Sequence, residues 1–161
     1  MTWGTGTTGT GTTPRATLII NDRVDLCLAA DADGVHLGQD DLSPKAARKI
    51  FDQVKDGNTR IIGFSTHNLS QLREADALPI DYIAIGPVFA TGSKANPDPV
   101  VGLEGVRQAR RVTTKPLVAI GGITRQNCFQ VKAAGADAVA VISDLLESPD
   151  KAVADFLRVL G

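Results

Sequence analysis

The 161-residue chain carries almost no net charge, since 17 basic side chains stand against 18 acidic ones, net −1. No field of one sign covers it, which argues against a nucleic-acid partner held by electrostatics. No window approaches the ~18 uninterrupted apolar residues that mark a membrane span, so no membrane partner is expected. No basic segment followed by an apolar stretch opens the chain, so no secretory signal is expected either. Cysteine is scarce: Cys27 and Cys128 lie far apart, without metal spacing or a disulfide framework. That usage suits a reducing, cytoplasmic setting and reads as two small buried hydrophobes. What remains, 43% apolar and 22% charged residues, suffices for one domain with a core but not for two.

The first residues have a different texture. Met1 to Thr13 holds seven Thr, four Gly and Trp3, without apolar periodicity. A low-complexity, disordered tail is expected over residues 1–16, and a single folded domain over 17–161. From Thr17 onward short apolar runs recur at Thr17–Ile20, Gly34–Leu37, Ile61–Ser65, Tyr82–Gly86, Leu117–Gly122 and Ala138–Ser143. They are nearly continuous rather than alternating, as in parallel strands covered on both faces. Helical patterns lie between them. Ser43–Pro44 supplies a cap and an N1 proline, Asn68 with Gln71 resembles a capping box, and Gly102–Val112 and Thr124–Ala134 give two more. Ser148–Pro149 opens the last helix. Six βα units in series predict an α/β fold with a parallel sheet, open or closed into a barrel.

Polar and Gly residues cluster just after these strands, where an α/β sheet or barrel gathers its site. Asp22 and Asp41 follow consecutive strands, and two carboxylates without a Cys or His cluster suit Mg²⁺. Taken singly, each is as readily a cap or a solvated loop acid. Gly121–Gly122 precedes a helical pattern and Ser143 ends the next strand, a pairing that favours a phosphate site over a mere tight turn. Thr91-Gly92-Ser93-Lys94 is a polar loop with one cation that can neutralise a leaving charge. His36, inside a strand, reads as a satisfied interior histidine. His67 lies on the rim, where it either assists the site or organises the loop.

Together these motifs resemble the thiamine-phosphate synthase family. The resemblance rests on Ile20-Asn-Asp22, Gly34-Val-His-Leu-Gly-Gln-Asp-Asp41, Gly63-Phe-Ser-Thr-His67, Asp81-Tyr-Ile-Ala-Ile-Gly-Pro-Val-Phe89, Thr91-Gly-Ser-Lys94, Ile120-Gly-Gly-Ile-Thr124 and Gly135-Ala-Asp-Ala-Val-Ala-Val-Ile-Ser143. Each motif alone is weak; their order and spacing are specific. The resemblance implies a (β/α)₈ TIM-barrel fold, here a partial barrel of about six βα units. It also implies an Mg²⁺-dependent transferase that joins hydroxymethylpyrimidine diphosphate to a thiazole phosphate and releases pyrophosphate.

The same resemblance assigns roles. Asn21 would contact the pyrimidine diphosphate, Asp22 and Asp41 would bind Mg²⁺, and Ser65 and Lys94 would hold the diphosphate and serve catalysis. Thr91, Ser93, Gly122, Ile142 and Ser143 would line the thiazole phosphate site. One family feature has no counterpart: two further βα units, the second bearing a Gln-x-Arg-x-Lys strand, are not found ahead of Thr17. Truncation of this kind implies exposed strand edges, through which self-association is expected. Three other readings stand beside the synthase: the related thiazole tautomerase, a non-catalytic phosphate-binding remnant, and a fragment that folds only with a partner chain.

Overall fold

Strand alternates with helix from Ile19 to Leu160 in a computed structural model that describes residues 16–92, 98–146 and 148–160. The Gly/Thr-rich tail through residue 15, with Trp3, lies outside the described residues, as do Ser93 and Lys94. The order is β1 (Ile19–Asn21), α1 (Val24–Ala29), β2 (Gly34–Leu37), α2 (Pro44–Gln53), β3 (Ile61–Thr66), α3 (Leu69–Asp76) and β4 (Tyr82–Ile85). Next come α4 (Gly102–Val112), β5 (Leu117–Ile120), α5 (Cys128–Ala133), β6 (Ala138–Ala140), α6 (Ser143–Leu146) and α7 (Pro149–Leu160). All six strands are parallel and stand in sequence order, so each βα unit places its strand beside the last. This is the partial TIM-type barrel expected from six βα units.

The two sheet faces differ sharply. Val35, Leu37, Ile62, Phe64, Ile83, Ile85, Leu117 and Ala119 point to the helices and are buried. There they meet Cys27, Phe51, Leu72, Val106, Cys128, Val131 and Phe156, so both cysteines are core hydrophobes. The alternate residues Asn21, His36, Ser65, Tyr82, Val118, Ile120 and Ala138 face the inside of the curve. They remain exposed or half-buried, because among the described residues no strand lies beyond β1 or β6 to close over them.

Register is set by one device used three times. Asp33 donates its N–H to the Leu18 carbonyl while its Oδ2 accepts the Leu18 N–H at 2.7 Å. Asp81 makes the same pair of bonds with Ile62, and Asp137 with Leu117. Each Asp stands immediately before an even-numbered strand and clasps the preceding odd one near its start. Two of the three also hold a helix arginine, Arg48 to Asp81 at 2.6 Å and Arg110 to Asp137 at 2.7 Å.

The caps read from sequence are present: Ser43 Oγ accepts from Ala46 N–H, and Asn68 Oδ1 from Gln71 N–H. Gln71 Oε1 in turn takes the N–H of His67 rather than that of Asn68. Three details differ from the sequence reading. The helix α1 had no visible signal, since Arg23 stands at its N-cap and makes no side-chain cap bond. Residues Thr124 to Asn127 form a turn, so α5 begins at Cys128, because the Asn127 side chain takes the Thr124 N–H. The last strand stops at Ala140, and Ser143 opens the single turn of α6 instead of ending a strand.

Asp81→Ala leaves the N–H of fully buried Ile62 without its carboxylate and Arg48 without its ion pair, though Arg48 keeps its bond to the Arg60 carbonyl. Because Asp81 is partly exposed, the loss is expected to be about 1–2 kcal/mol. Asp81→Asn, which keeps an acceptor, should lose less than half of that. Urea unfolding midpoints check the order, and an Asp81→Ala midpoint equal to that of the unaltered chain contradicts the clasp.

Candidate functional site

The carboxyl ends of the strands carry the groups singled out in sequence. Asn21 ends β1 on the inner face, and Asp22 follows it with φ +63°. Asp tolerates that left-handed conformation better than most residues. The Asp22 N–H donates to the His36 carbonyl at 2.8 Å, which extends the β1–β2 ladder by one bond. Asp41 turns back over the end of β2, where its Oδ2 accepts the Gly38 N–H at 2.7 Å. Its negative charge reaches His36, whose imidazole it acts to hold protonated. Burial outweighs that effect, so the pKa of His36 is lowered overall. Both acids are exposed and both border His36. Among the described residues no group of three His, Cys, Asp or Glu comes together. Mg²⁺ needs only one or two carboxylates plus water and phosphate oxygens, so this pair fits it.

Ser65 sits at the centre of the concave face, in a network that the sequence did not reveal. His36 Nε2 lies 2.8 Å from Ser65 Oγ, and His36 Nδ1 lies 2.8 Å from Tyr82 Oη. The imidazole and phenol rings stack with centroids 5.5 Å apart. Gln39 reaches over the rim to donate from Nε2 to the Ser65 carbonyl. His36 is thus satisfied, as the strand position suggested, but its partners make it part of the polar floor of the concavity. Only pairing register could have shown this: His36 aligns with Gly63, and Gly63 with Tyr82. Gly63 is the space the phenol needs, since a Cβ there would lie 2.0 Å from Tyr82 Cζ.

At the other end of the sheet, Gly121 and Gly122 adopt φ +96° and +63°. This is the tight-turn geometry that the pair of glycines suggested. The Phe89 N–H donates to the Gly121 carbonyl, and a Cβ on Gly122 would lie 2.5 Å from the Ala90 carbonyl oxygen. Glycine therefore allows the stretch ending at Thr91 to lie against the loop after β5. Asn127 fixes that loop by donating from Nδ2 to the Gly122 carbonyl at 3.0 Å. Ile142 and Ser143, after the neighbouring β6, are exposed. His67 organises rather than lines the site: its Nδ1 bonds the Gly86 carbonyl at 2.8 Å, with Asp98 Oδ2 at 3.4 Å. The structure therefore gathers Asn21, Asp22, Asp41 and Ser65 over β1–β3, and Thr91, Gly122, Ile142 and Ser143 over β4–β6. Ser93 and Lys94 fall outside the described residues.

Tyr82, the sole tyrosine of the chain, reports on the floor of this site. Burial pushes its phenol from the ordinary 10 up to about 12. Because the folded pKa is the raised one, the folded chain keeps the proton that the unfolded chain releases. The resulting stability is complete below about pH 10 and drains away between about 10 and 12. Gly63→Ala should expel the ring and bring the phenol back toward 10, with a loss of about 1–3 kcal/mol from overpacking. Ultraviolet titration of the single tyrosine measures both values, and identical titrations in the two proteins exclude the contact.

Comparison with known proteins agrees with this architecture. A family model described as thiamine monophosphate synthase matches residues 10–145. The thiamine-phosphate synthase of Koribacter versatilis is 56% identical over 147 residues, which cover 91% of this chain and 67% of that protein. The enzyme of Vibrio campbellii is 45% identical over 141 residues, covering 87% and 67%. The chain spans 64% of a third such relative, from Chloroflexus aurantiacus, so its matched residues cover about two thirds of the length of these three relatives. Among solved structures, thiamine phosphate pyrophosphorylase from Pyrococcus furiosus superposes with a TM-score of 0.78 at 37% identity, covering 90% of this chain and 67% of that one. FabK from Thermotoga maritima, at 19% identity and a TM-score of 0.63, shares the fold alone. With the family model, the identities and the strand order in agreement, the chain belongs to the thiamine-phosphate synthase family, transferases of thiamine biosynthesis.

Proposed function

We propose that this chain carries the reaction of its family: the condensation of hydroxymethylpyrimidine diphosphate with a thiazole phosphate, with release of pyrophosphate. One observation supports the reading above the others. The six-stranded sheet carries two acids and a serine at the ends of β1–β3 and glycine-bearing loops at the ends of β4–β6, all on one rim above the His36–Ser65–Tyr82 network. Two phosphate-bearing substrates that must meet need such a divided site.

In this reading Asn21 contacts the pyrimidine diphosphate, and Ser65 and Lys94 hold its phosphates. Asp22 and Asp41 hold Mg²⁺, which when bound offsets diphosphate charge. Thr91, Ser93 and the backbone groups of Gly122, Ile142 and Ser143 hold the thiazole phosphate. The bond from the pyrimidine methylene carbon to the diphosphate oxygen breaks, and its electron pair leaves with pyrophosphate. The lone pair of the thiazole nitrogen then forms the new carbon–nitrogen bond. Little proton transfer is required, so the residues act by positioning and charge neutralisation. The two carboxylates favour the synthase over the thiazole tautomerase, which has no use for a metal–diphosphate half.

Asp22→Asn and Asp41→Asn should each sharply weaken Mg²⁺-dependent binding of the pyrimidine diphosphate and leave thiazole phosphate binding intact. Unchanged diphosphate affinity in both variants contradicts the metal assignment. The 161 residues contain no Gln-x-Arg-x-Lys strand. An Arg and a Lys contribute roughly 1.5–3 kcal/mol each in charge-assisted bonds. Their lack should weaken diphosphate binding by about two to four powers of ten relative to a full-length relative. Calorimetry with each substrate, beside a product assay, is expected to show thiazole phosphate binding with low turnover. A folded sample that binds no thiazole phosphate overturns the functional reading.

A further inference from the structure

The two loops of the anion cup come from different βα units, and one carboxylate joins them. Asp144 is the second residue of α6, with its side chain 11% exposed. Its Oδ2 accepts the backbone N–H of Arg125 at 2.8 Å and the Nε–H of the same residue at 3.0 Å. Its Oδ1 accepts from Arg125 Nη2 at 3.1 Å. The remaining guanidinium nitrogen, Nη1, lies 3.5 Å from Asp155 Oδ2 on α7. This is a two-pronged arginine–carboxylate pair reinforced by a main-chain bond, a geometry that fixes orientation as well as distance. Arg125 holds the Asp144 carboxyl below the usual carboxylate range, and Asp144 raises the guanidinium in return, so both stay charged near neutrality.

Of the two elements so joined, α6 is the less firmly built. The helix α6 is a single turn with no buried residue, too short to hold its own direction. Only Leu145, partly buried, packs it onto the core. On the opposite side, Arg125 belongs to the turn whose Asn127 grips the Gly122 carbonyl. A continuous path therefore runs from Gly122 through Asn127 and Arg125 to Asp144, which is covalently next to Ser143. The sequence motifs stopped at Ser143 and at Thr124, one residue short of each partner.

We propose that Asp144 is a positioning residue: held by Arg125, it fixes the Ile142–Ser143 backbone against Gly122, so that both loops address a single phosphate. The proposal rests on reading these loops as the thiazole phosphate cup. Asp144 touches no substrate in this arrangement; it acts through the loops. A carboxylate so near an anion site is tolerable because its charge is spent on Arg125. Loss of one or two amide hydrogen bonds to a phosphate is worth about ten- to a hundredfold in affinity.

The test uses the 161-residue chain and its variants Asp144→Ala, Asp144→Asn and Arg125→Lys, titrated with 4-methyl-5-(2-phosphonooxyethyl)thiazole and separately with the pyrimidine diphosphate plus Mg²⁺. Asp144→Ala should weaken thiazole phosphate binding by about ten- to a hundredfold and leave diphosphate affinity unchanged. Asp144→Asn keeps an acceptor for the Arg125 N–H and Nε–H but turns its amide NH2 toward Nη2, so it should recover only part of the affinity, and Arg125→Lys, which keeps the main-chain N–H bond, should likewise fall between Asp144→Ala and the unaltered chain. Hydrogen exchange read on peptides covering 119–127 and 140–146 should rise in Asp144→Ala while the peptide over β3 stays protected. Thiazole phosphate binding equal to that of the unaltered chain, or faster exchange throughout the sheet, overturns the clamp while the functional reading stands. Failure of the unaltered chain itself to bind the thiazole phosphate overturns both.

Discussion

A parallel strand pair has no tight turn to fix its register, and this sheet supplies the lack with aspartate. Asp33, Asp81 and Asp137 each exchange two bonds with one residue of the neighbouring strand, through the main-chain N–H and through the carboxylate. A shift of one residue would break both bonds and turn every side chain to the opposite face. The clasps lie at the amino ends of the strands, far from the rim that bears the site. Stability and chemistry thus occupy opposite ends of one sheet, as they do in barrels generally.

Register decides which side chains meet. Asp81 fixes β4 against β3 and the ladder aligns β2 with β3, so His36, Gly63 and Tyr82 fall in one row across the inner face, and Ser65 stands one step above. The phenol can lie over the strand only because residue 63 has no side chain. Neutral His36 and protonated Tyr82 then share hydrogen bonds that neither could form with the apolar outer layer. The polar floor of the concavity is therefore a consequence of alignment, not of any local motif.

The rim follows a different rule. Over β4–β6 its residues lie beyond the strand ends, held by bonds between loops rather than by the ladder. The stretch Gly86–Ala90 runs beside Gly121–Gly122 because both glycines admit positive φ and a backbone at close range. His67 ties the start of that stretch to the end of β3, and Asn127 ties the far loop to its own helix. Each anchor is a side chain bonded to a main-chain group, the least expensive way to satisfy loop carbonyls and amides near a water-filled concavity.

Much of this was legible in the residues themselves. Short continuous runs such as Leu117–Ile120 pointed to parallel strands, and Ser43–Pro44 and Asn68–Gln71 to helix starts, because these signals are local; the inner face of those strands is nonetheless only half covered. The polar residues after each strand were legible for the same reason: a strand's end is where its apolar run stops. What sequence could not show were elements without local signals, such as α1 behind Arg23 and the single turn of α6. Nor could it show pairs far apart in the chain, His36 with Tyr82 across 46 residues and Arg125 with Asp144 across 19. Such pairs have no spacing rule. They exist only once the sheet has curled and set one strand's end beside the next, so the sequence determined the layers and the rim, and tertiary structure decided which rim residues touch.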